Sequence, residues 1–332
     1  MNIRETIETI AKKNADKIFL YLGDQEITYK KFDENINKAA NIFLDKGIKK
    51  GDHVCFFLPN CPEYIYGWFG LAKIGAILVP LNTAYRTEET RYIVNHSEAN
   101  SILFHASLKH VIDRIKPETP RLKNFLSLGE DIKDIDYIPF EKELINASPE
   151  LDPIDICEED ICEIMYTSGT TGPSKGAMMT HKYWILTGSA FAHCLGLTHE
   201  DRVFTCLPFF HANAKGYSTM GALLSEASLI VVERFSASKF WEQIRHYNAT
   251  EFNYMGAMLS ILSKQPESEK DRDHNVRVAY GSIAFDKKDQ EYFERRYGIT
   301  LISGYGEKQV TILIHPTIIP GMKPTVPDYF FR

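Results

Sequence analysis

Two stretches of the sequence share one order of patterns, and this repetition is the strongest constraint on the fold. The first covers residues 51–82 and reads GDHVCFFLPNCPEYIYGWFGLAKIGAILVPLN; the second covers residues 200–233 and reads EDRVFTCLPFFHANAKGYSTMGALLSEASLIVVE. Each has an acidic residue, an apolar run ending at a proline, a helix with small residues, and a closing apolar run. Two apolar strands joined by a helix are typical of a parallel pair. The sequence therefore predicts an α/β protein with parallel sheet in both halves, although any two such units would look alike.

The rest of the pattern divides the chain into two α/β halves. Near the N-terminus a strand–turn–strand reads IFLYLGDQEITY, and the next helix is capped by Thr28 and stopped by Gly47. Residues 129–160 are acidic, punctuated by proline and poor in periodicity, which predicts a linker. Helices and strands alternate again after the second unit. We expect one subdomain over residues 1–160, including the linker, and a second over residues 161–332, incomplete at its C-terminus.

Composition excludes several classes of protein. The balance of 38 Lys+Arg against 44 Asp+Glu gives a net charge of −6 and argues against a basic face for nucleic acid. The six cysteines include no C-x-x-C pair and no zinc spacing, as in cytosolic enzymes with reduced thiols. The N-terminus lacks the apolar core of a signal peptide, and the longest apolar run is too short to span a bilayer. We expect a cytoplasmic protein with a small-molecule partner; a homodimer is compatible with the sequence.

A buried strand followed by a loop of hydroxyl and glycine residues is the main functional signal. The strand reads ICEIMY (161–166), and the loop after it reads TSGTTGPSKG. A Walker loop needs glycine directly before its lysine and Ser or Thr after it. Here Ser174 precedes Lys175 and Gly176 follows it, so the Walker interpretation fails.

The same stretch still has the chemistry of a phosphate-binding loop. Its glycines permit close backbone approach and positive φ, its hydroxyls can donate to phosphate oxygens, and its lysine adds a cation. The candidate residues are Thr167, Ser168, Gly169, Thr170, Thr171, Gly172 and Lys175. The alternative is a surface loop rich in Ser, Thr and Gly, which this order of residues behind a buried strand disfavours.

This loop, YTSGTTGPSKG, resembles the signature loop of the adenylate-forming (AMP-binding) acyl-CoA synthetases. The likeness covers residues 15–306 and includes LPFFH, YGSIAF and SGYG in that family's order and spacing. Within the family, residues 60–82 and 231–250 are most similar to crotonobetaine/carnitine-CoA ligases. The resemblance implies the two strand–helix–strand sheet subdomains of the family's N-terminal domain. It also implies a two-step reaction: a carboxylate and Mg-ATP give acyl-adenylate and pyrophosphate, and coenzyme A then displaces AMP.

The resemblance also implies roles for particular residues. Thr167 to Lys175 would bind the triphosphate, with Thr167 near Mg²⁺, and Lys175 and His211 would be the catalytic side chains. His211 matches a residue beside the acyl pocket and the pantetheine entrance; the alternative is a satisfied core histidine. The residues that match the adenine-binding segments are Gly281, Ser282, Ile283, Gly304, Tyr305 and Gly306.

Other aromatic and histidine residues have less specific interpretations. The helix after Pro59 carries four aromatic residues that could face a quaternary ammonium group, but helix core is the favoured interpretation. These residues are Tyr64, Tyr66, Trp68 and Phe69. His181 is expected to end the AMMT strand and to orient the start of the next helix.

The sequence departs from the family after SGYG. Lys308 stands where the family has a threonine that contacts the α-phosphate, so it is a candidate nucleotide contact. Gln309 stands where the family has a glutamate that holds Mg²⁺, and an amide is a poorer ligand for this cation. The family's next segment, with its ribose-binding aspartate, hinge and C-terminal lid domain, does not follow. We therefore expect a C-terminally truncated member that lacks the lid domain.

Three functions are open on the sequence. The first is an ATP-dependent acid–CoA ligase for a carnitine-like or crotonobetaine-like carboxylate, with ATP, Mg²⁺ and coenzyme A. The second is a catalytically inactive nucleotide-binding remnant, or a half that needs a partner. The third is an adenylation domain that passes acyl groups to a carrier protein; no acidic residue beside FNYMG is placed to pair a substrate α-amine, which speaks against it.

Overall fold

The computed structural model describes residues 1–129, 132, 136–167, 173–282, 286–305 and 313–314. Fifteen strands and eleven α-helices lie within these ranges. The strands are β1 Ile18–Leu22, β2 Gln25–Thr28, β3 His53–Phe57, β4 Ile77–Pro80, β5 Ser101–His105, β6 Asn124–Leu128, β7 Ile138–Pro139, β8 Ile161–Thr167, β9 Lys175–Thr180, β10 Arg202–Thr205, β11 Ser228–Val231, β12 Glu251–Met255, β13 Val278–Ser282, β14 Thr300–Tyr305 and β15 Leu313–Ile314. The helices are α1 Ile3–Lys13, α2 Tyr29–Asp45, α3 Pro62–Ile74, α4 Thr87–His96, α5 Lys109–Ile115, α6 Phe140–Asn146, α7 His181–Leu195, α8 Met220–Leu224, α9 Phe240–His246, α10 Gly256–Ser263 and α11 Lys287–Tyr297. Two short 3₁₀ helices (Ala106–Leu108 and Lys116–Glu118) and a π-helix (Asn213–Thr219) complete the elements.

Two sheets organise the described chain, which confirms the predicted α/β class. The first sheet has the order β7-β6-β5-β3-β4-β8-β9, and the second has the order β15-β14-β13-β12-β10-β11-β1-β2. Neighbouring strands are parallel except in the pairs β1–β2, β8–β9 and β14–β15, which are antiparallel. The largest cluster of buried apolar side chains draws on both sheets and on the helices that pack against them.

The two repeated stretches form the units that their patterns predict. In the first, β3 and β4 are parallel and α3 joins them. Pro62 occupies the first turn of α3, and Gly75 ends it in the left-handed conformation at φ 72°. In the second, β10 and β11 are parallel, and the connection is the π-helix followed by α8. The Thr28 hydroxyl also caps α2 as predicted, since it accepts from the Lys31 backbone N–H at 3.1 Å.

The sheets do not follow the predicted division of the chain at residue 160. β1 pairs with β11, so the β1–β2 hairpin belongs to the second sheet. β8 pairs with β4, so the β8–β9 hairpin belongs to the first sheet. The apolar pattern of a strand indicates that it is buried but does not identify its partner, which lies far away in the sequence. Each half of the chain therefore contributes a hairpin to the sheet of the other half.

The predicted linker over residues 129–160 is wrong in part, because the segment contains β7 and α6. Phe140 at the start of α6 is fully buried, and its ring stacks on that of Phe43 with centroids 5.7 Å apart. A seven-residue helix with one large apolar anchor is too short to show a helical period, which explains why the pattern missed it. Among the helices described above, none combines the length and the apolar composition that a membrane span requires.

Candidate functional site

The predicted phosphate-binding loop leaves the first sheet at the carboxyl end of β8. β8 runs parallel to β4 and antiparallel to β9, with Thr167 opposite Lys175 and Tyr166 opposite Gly176. Ligands of open α/β sheets bind outside the carboxyl ends of the parallel strands, which is the end where this loop begins. The predicted contacts Ser168, Gly169, Thr170, Thr171 and Gly172 lie outside the described residues.

The described part of this hairpin presents a lysine at its rim. The Lys175 side chain is exposed at the first position of β9. A Cβ atom at Gly176 would stand 2.7 Å from Ile164 Cγ2 across the hairpin, so the glycine permits close packing of the two strands. The side chain of Thr167 is not described, and its predicted roles with phosphate and Mg²⁺ stay predictions.

The predicted adenine-binding segments end two neighbouring strands of the second sheet. Gly281 and Ser282 end β13, Gly304 lies near the end of β14, and Gly281 pairs with Ser303. A Cβ at Gly281 would stand 2.0 Å from the Tyr254 carbonyl oxygen, so only glycine fits there.

A second close approach occurs on β14. A Cβ at Gly304 would stand 1.8 Å from the hydroxyl oxygen of Tyr280, a side chain that is itself buried. The backbone of Tyr305 pairs with Leu313 of β15, but its side chain is not described. The remaining predicted contacts lie outside the described residues: Ile283, Gly306, Lys308 and Gln309.

His211 is exposed, so the alternative of a satisfied core histidine is wrong. Its backbone N–H donates to the Pro208 carbonyl at 3.0 Å, and its ring lies 4.6 Å from that of Phe210. The π-helix begins two residues later, at Asn213. Short π-helical segments occur frequently at functional sites.

Two residues of the first repeated stretch, Asn60 and Tyr64, hold in place the segment that carries His211. Buried Asn60 donates from Nδ2 to the Leu207 carbonyl at 2.9 Å and accepts from the Phe209 N–H at 2.9 Å. The Tyr64 hydroxyl donates to the Phe209 carbonyl at 3.1 Å, and the two rings stack at 5.4 Å. Asn60 belongs to none of the predicted motifs, and its position directly after an apolar strand and Pro59 is the feature of the sequence that could have indicated it.

A fully buried ion pair lies behind the hairpin. Glu163 of β8 contacts Lys215 of the π-helix, and neither side chain is exposed. The Lys215 ammonium also lies 5.8 Å from the ring centroid of Trp68 and 5.6 Å from that of Trp184. Burial raises the pKa of the Glu163 carboxyl, and the lysine opposes this shift. In the sequence, a glutamate inside the otherwise apolar strand ICEIMY is the feature that could have indicated this ion pair.

Asn253 extends this buried polar path to the second sheet. It lies on β12, and its Nδ2 donates to Asn213 Oδ1 and Ser218 Oγ, both at 2.8 Å. β12 in turn pairs with β13, where Tyr254 is opposite Gly281. The π-helix therefore contacts both β8, the strand that leads into the loop, and β12, the strand that pairs with β13.

The aromatic residues of α3 form core rather than an open ligand face. Tyr64, Trp68 and Phe69 are fully buried and Tyr66 nearly so, which agrees with the favoured interpretation. The prediction that His181 ends the AMMT strand is wrong, because β9 ends at Thr180, whose side chain caps α7. His181 is the first residue of α7 and is fully buried, and the Ile3 N–H donates to its Nδ1 at 3.4 Å. Within the described ranges no three His, Cys, Asp or Glu side chains group as a metal site.

Comparisons with known proteins agree with this geometry. The sequence matches the AMP-binding enzyme family over residues 7–327. It is 31% identical over 320 residues to the crotonobetaine/carnitine–CoA ligase of Salmonella typhimurium and 31% identical over 323 residues to that of Citrobacter koseri. In both cases the match covers 94% of this chain and 62% of the relative, so the chain spans less than two thirds of these relatives' length.

Solved structures show the same fold. The anthranilate CoA ligase AuaEII in complex with anthranoyl-AMP superposes with a TM-score of 0.86 at 24% identity, covering 92% of this chain and 60% of that one. ATP-bound MatB from Rhodopseudomonas palustris superposes with a TM-score of 0.83 at 22% identity, covering 94% and 61%.

Proposed function

The chain belongs to the AMP-binding enzyme family, and from this premise we propose that it takes part in the ATP-dependent ligation of a carboxylic acid to coenzyme A. In the first step a carboxylate oxygen attacks the α-phosphorus of ATP. The bond from that phosphorus to the bridging oxygen breaks, and pyrophosphate leaves. In the second step the thiolate of coenzyme A attacks the acyl carbonyl carbon and AMP leaves.

The β8–β9 hairpin is the observation that carries this proposal. Its connecting segment leaves the carboxyl end of a parallel strand and returns at the exposed Lys175. We assign Lys175 to the phosphate chain of ATP, where its ammonium offsets charge that moves onto the pyrophosphate. Positioning and charge neutralisation are the main means by which a protein assists phosphoryl chemistry.

The glycines Gly281 and Gly304 lie at or near the carboxyl ends of the neighbouring parallel strands β13 and β14. Ligands of open α/β sheets bind outside this end of the strands. We assign Gly281, Ser282 and Gly304 to the adenine, and exposed His211 to the space beside the acyl group. The Mg²⁺ contacts at Thr167 and Gln309 stay predictions, and no step above depends on them.

Carboxylates related to crotonobetaine and carnitine are the first substrates to test. Two curated relatives at 31% identity are named as ligases for these compounds. The buried Trp68 faces the chain's own Lys215 ammonium and leaves no open aromatic face on α3 for a quaternary ammonium group. Short-chain carboxylic acids without a quaternary ammonium group should therefore be tested in the same panel of substrates.

Carboxylate-dependent exchange of labelled pyrophosphate into ATP tests the proposal, because it reports the first step alone. We expect exchange that needs both ATP and a carboxylate, and that falls in a Lys175→Ala variant. Binding of ATP without exchange for any acid in the panel would instead favour the nucleotide-binding alternative. An absence of both ATP binding and exchange in folded protein would contradict the proposed function.

A further inference from the structure

The two sheets repeat one order of strands. Read from the hairpin at its edge, the first sheet runs β9-β8-β4-β3-β5-β6-β7; the second runs β2-β1-β11-β10-β12-β13-β14, with β15 at its far edge. In each sheet the hairpin is antiparallel and its inner strand is parallel to the next strand. Each order also reverses once, because the chain leaves a strand on one side and returns on the other. These switch points lie between β3 and β5 and between β10 and β12.

The switch point is the place where an open α/β sheet binds its ligand, in the crevice outside the carboxyl ends of the strands. In the second sheet, the segment that carries His211 follows β10, so this switch point lies in the region already assigned to the reaction. The first sheet has a cleft of its own at the corresponding place, with a volume of about 650 Å³. Its walls include residues 59–63 after β3, His105 at the end of β5 and Gly129 after β6.

The second sheet also contributes to this β3–β5 cleft. Leu22 and Gly23, at the turn of the β1–β2 hairpin, line it together with residues 231–233 at the end of β11. In the repeated strand order, the β1–β2 hairpin holds the place of the β8–β9 hairpin that carries Lys175. The β3–β5 cleft is therefore the counterpart of the proposed ATP site, and its volume is in the range that holds a small molecule.

The charges around the cleft determine the sign of a suitable ligand. Glu63, Glu141 and Glu233 line it, whereas no lysine or arginine among the described residues does. The Gly129 N–H donates to Glu141 Oε1 at 2.9 Å, which holds this carboxylate at the wall. Burial raises the pKa of the Glu63 carboxyl, and the charge of Glu141 adds to this shift. A bound cation would offset the repulsion between these carboxylates.

We propose that the β3–β5 cleft is a second ligand site, which binds a small organic cation through primary ammonium groups. Each ammonium group offers three N–H donors, and carboxylates accept such charge-assisted hydrogen bonds. Three carboxylates on different elements suit a polyamine, whose carbon chain would meet apolar walls such as Leu22, Leu128 and Val232. The site contains none of the residues assigned to ATP, so the proposed function is not a premise of this inference.

Calorimetric titration of spermidine measures this binding, in about 0.15 M salt to screen charges on the open surface. We expect the wild type to bind spermidine and Glu63→Gln and Glu141→Gln each to weaken binding by about 10- to 100-fold, the worth of one hydrogen bond to a charged group. A matched control is Glu143→Gln, which removes the same charge from α6 but faces Lys46 at 3.3 Å. It should bind spermidine as the wild type does, and a thermal melt of each variant verifies that it is folded.

Two further arms identify the ligand class and the location. Choline has no N–H donor on its ammonium group and should bind more weakly than spermidine; tighter binding of choline overturns the assigned class. Lys175→Ala should keep its affinity for spermidine, whereas a loss would locate the cation at the β8–β9 hairpin and overturn the inference. No spermidine binding by the wild type, or equal affinity in the two cleft variants, also overturns it. Failure of the wild type to bind ATP contradicts only the proposed function.

Discussion

Removing the positive charge of Lys215 is expected to destabilise the chain strongly, because its partner Glu163 cannot reach water. Both side chains are fully buried, and Glu163 Oε2 has no hydrogen-bond partner among the described residues. Breaking a buried ion pair from one side costs about 3–5 kcal/mol. We expect Lys215→Met and Glu163→Met each to lower the free energy of unfolding by that amount at neutral pH.

The double variant Glu163→Met/Lys215→Met should recover most of this loss. It removes both charges and fills the site with apolar side chains of similar length, so neither partner remains buried without compensation. Apolar replacement of a whole buried pair is commonly neutral or stabilising, and we expect the double variant within about 2 kcal/mol of the wild type. The coupling free energy between the two positions, obtained from the single and double variants, is therefore expected to be several times that of a surface ion pair.

Urea unfolding followed by tryptophan fluorescence measures this cycle. Trp68 and Trp184 lie 5.8 and 5.6 Å from the Lys215 ammonium, so emission reports the site itself. A matched control is Lys31→Met, which breaks a largely exposed pair with Glu34 and should cost less than about 1 kcal/mol. Single variants that cost less than 1 kcal/mol, or a double variant whose cost is the sum of the singles, would refute the reasoning.

Three further outcomes follow from buried groups and close approaches. Burial lowers the pKa of His181 from 6.5 to about 4, so the folded chain loses stability as pH falls below 6.5. Urea unfolding of the wild type should show a loss of about 2 kcal/mol by pH 5, and a His181→Gln variant should not show this loss. Burial raises the pKa of Glu251, whose two carboxyl oxygens have no hydrogen-bond partner in the described ranges, so the folded chain loses stability as pH rises above 4.5. A Glu251→Gln variant should melt at a higher temperature than the wild type at pH 8, and the difference should be smaller near pH 4.5. Gly281→Ala would place a Cβ 2.0 Å from the Tyr254 carbonyl oxygen and should lower the free energy of unfolding in urea by more than about 3 kcal/mol. In the control Gly23→Ala the new Cβ meets no atom within 4 Å, so the cost should be about 1–2 kcal/mol, from the φ of +55° alone.

Local patterns predicted the elements well and the pairing of distant strands poorly. The units β3–α3–β4 and β10 to β11 follow from apolar runs, prolines and small residues that lie next to each other in the sequence. By contrast, the β1–β2 hairpin joins β11 across some two hundred residues of chain, as the pairing of Leu20 with Leu229 shows. Which distant strands pair is determined by how their apolar faces pack together, and a local sequence pattern does not indicate this packing.

The candidate site shows the same division. The hydroxyl-rich loop could be found because its residues and the buried strand before it lie in one stretch of sequence, and the glycines at 281 and 304 were predicted from the resemblance to the family alone. The Glu163–Lys215 pair could not, because its members lie 52 residues apart and each looks like an isolated charge in an apolar segment. Tyr92 and His96 of α4 were missed for a related reason: their contacts with Ser174 and Tyr166 depend on how α4 packs against the first sheet.

Calorimetric titration of ATP into the folded wild-type chain and a Lys175→Ala variant tests most directly whether the β8–β9 hairpin holds the phosphates of ATP. A hydrogen bond to a charged group is worth enough for about a 10- to 100-fold change in affinity, so we expect Lys175→Ala to weaken binding by that factor. Lys12→Ala, which removes an exposed lysine from α1, should bind as the wild type does. Equal affinities in all three proteins, or no ATP binding by the wild type, would contradict the account.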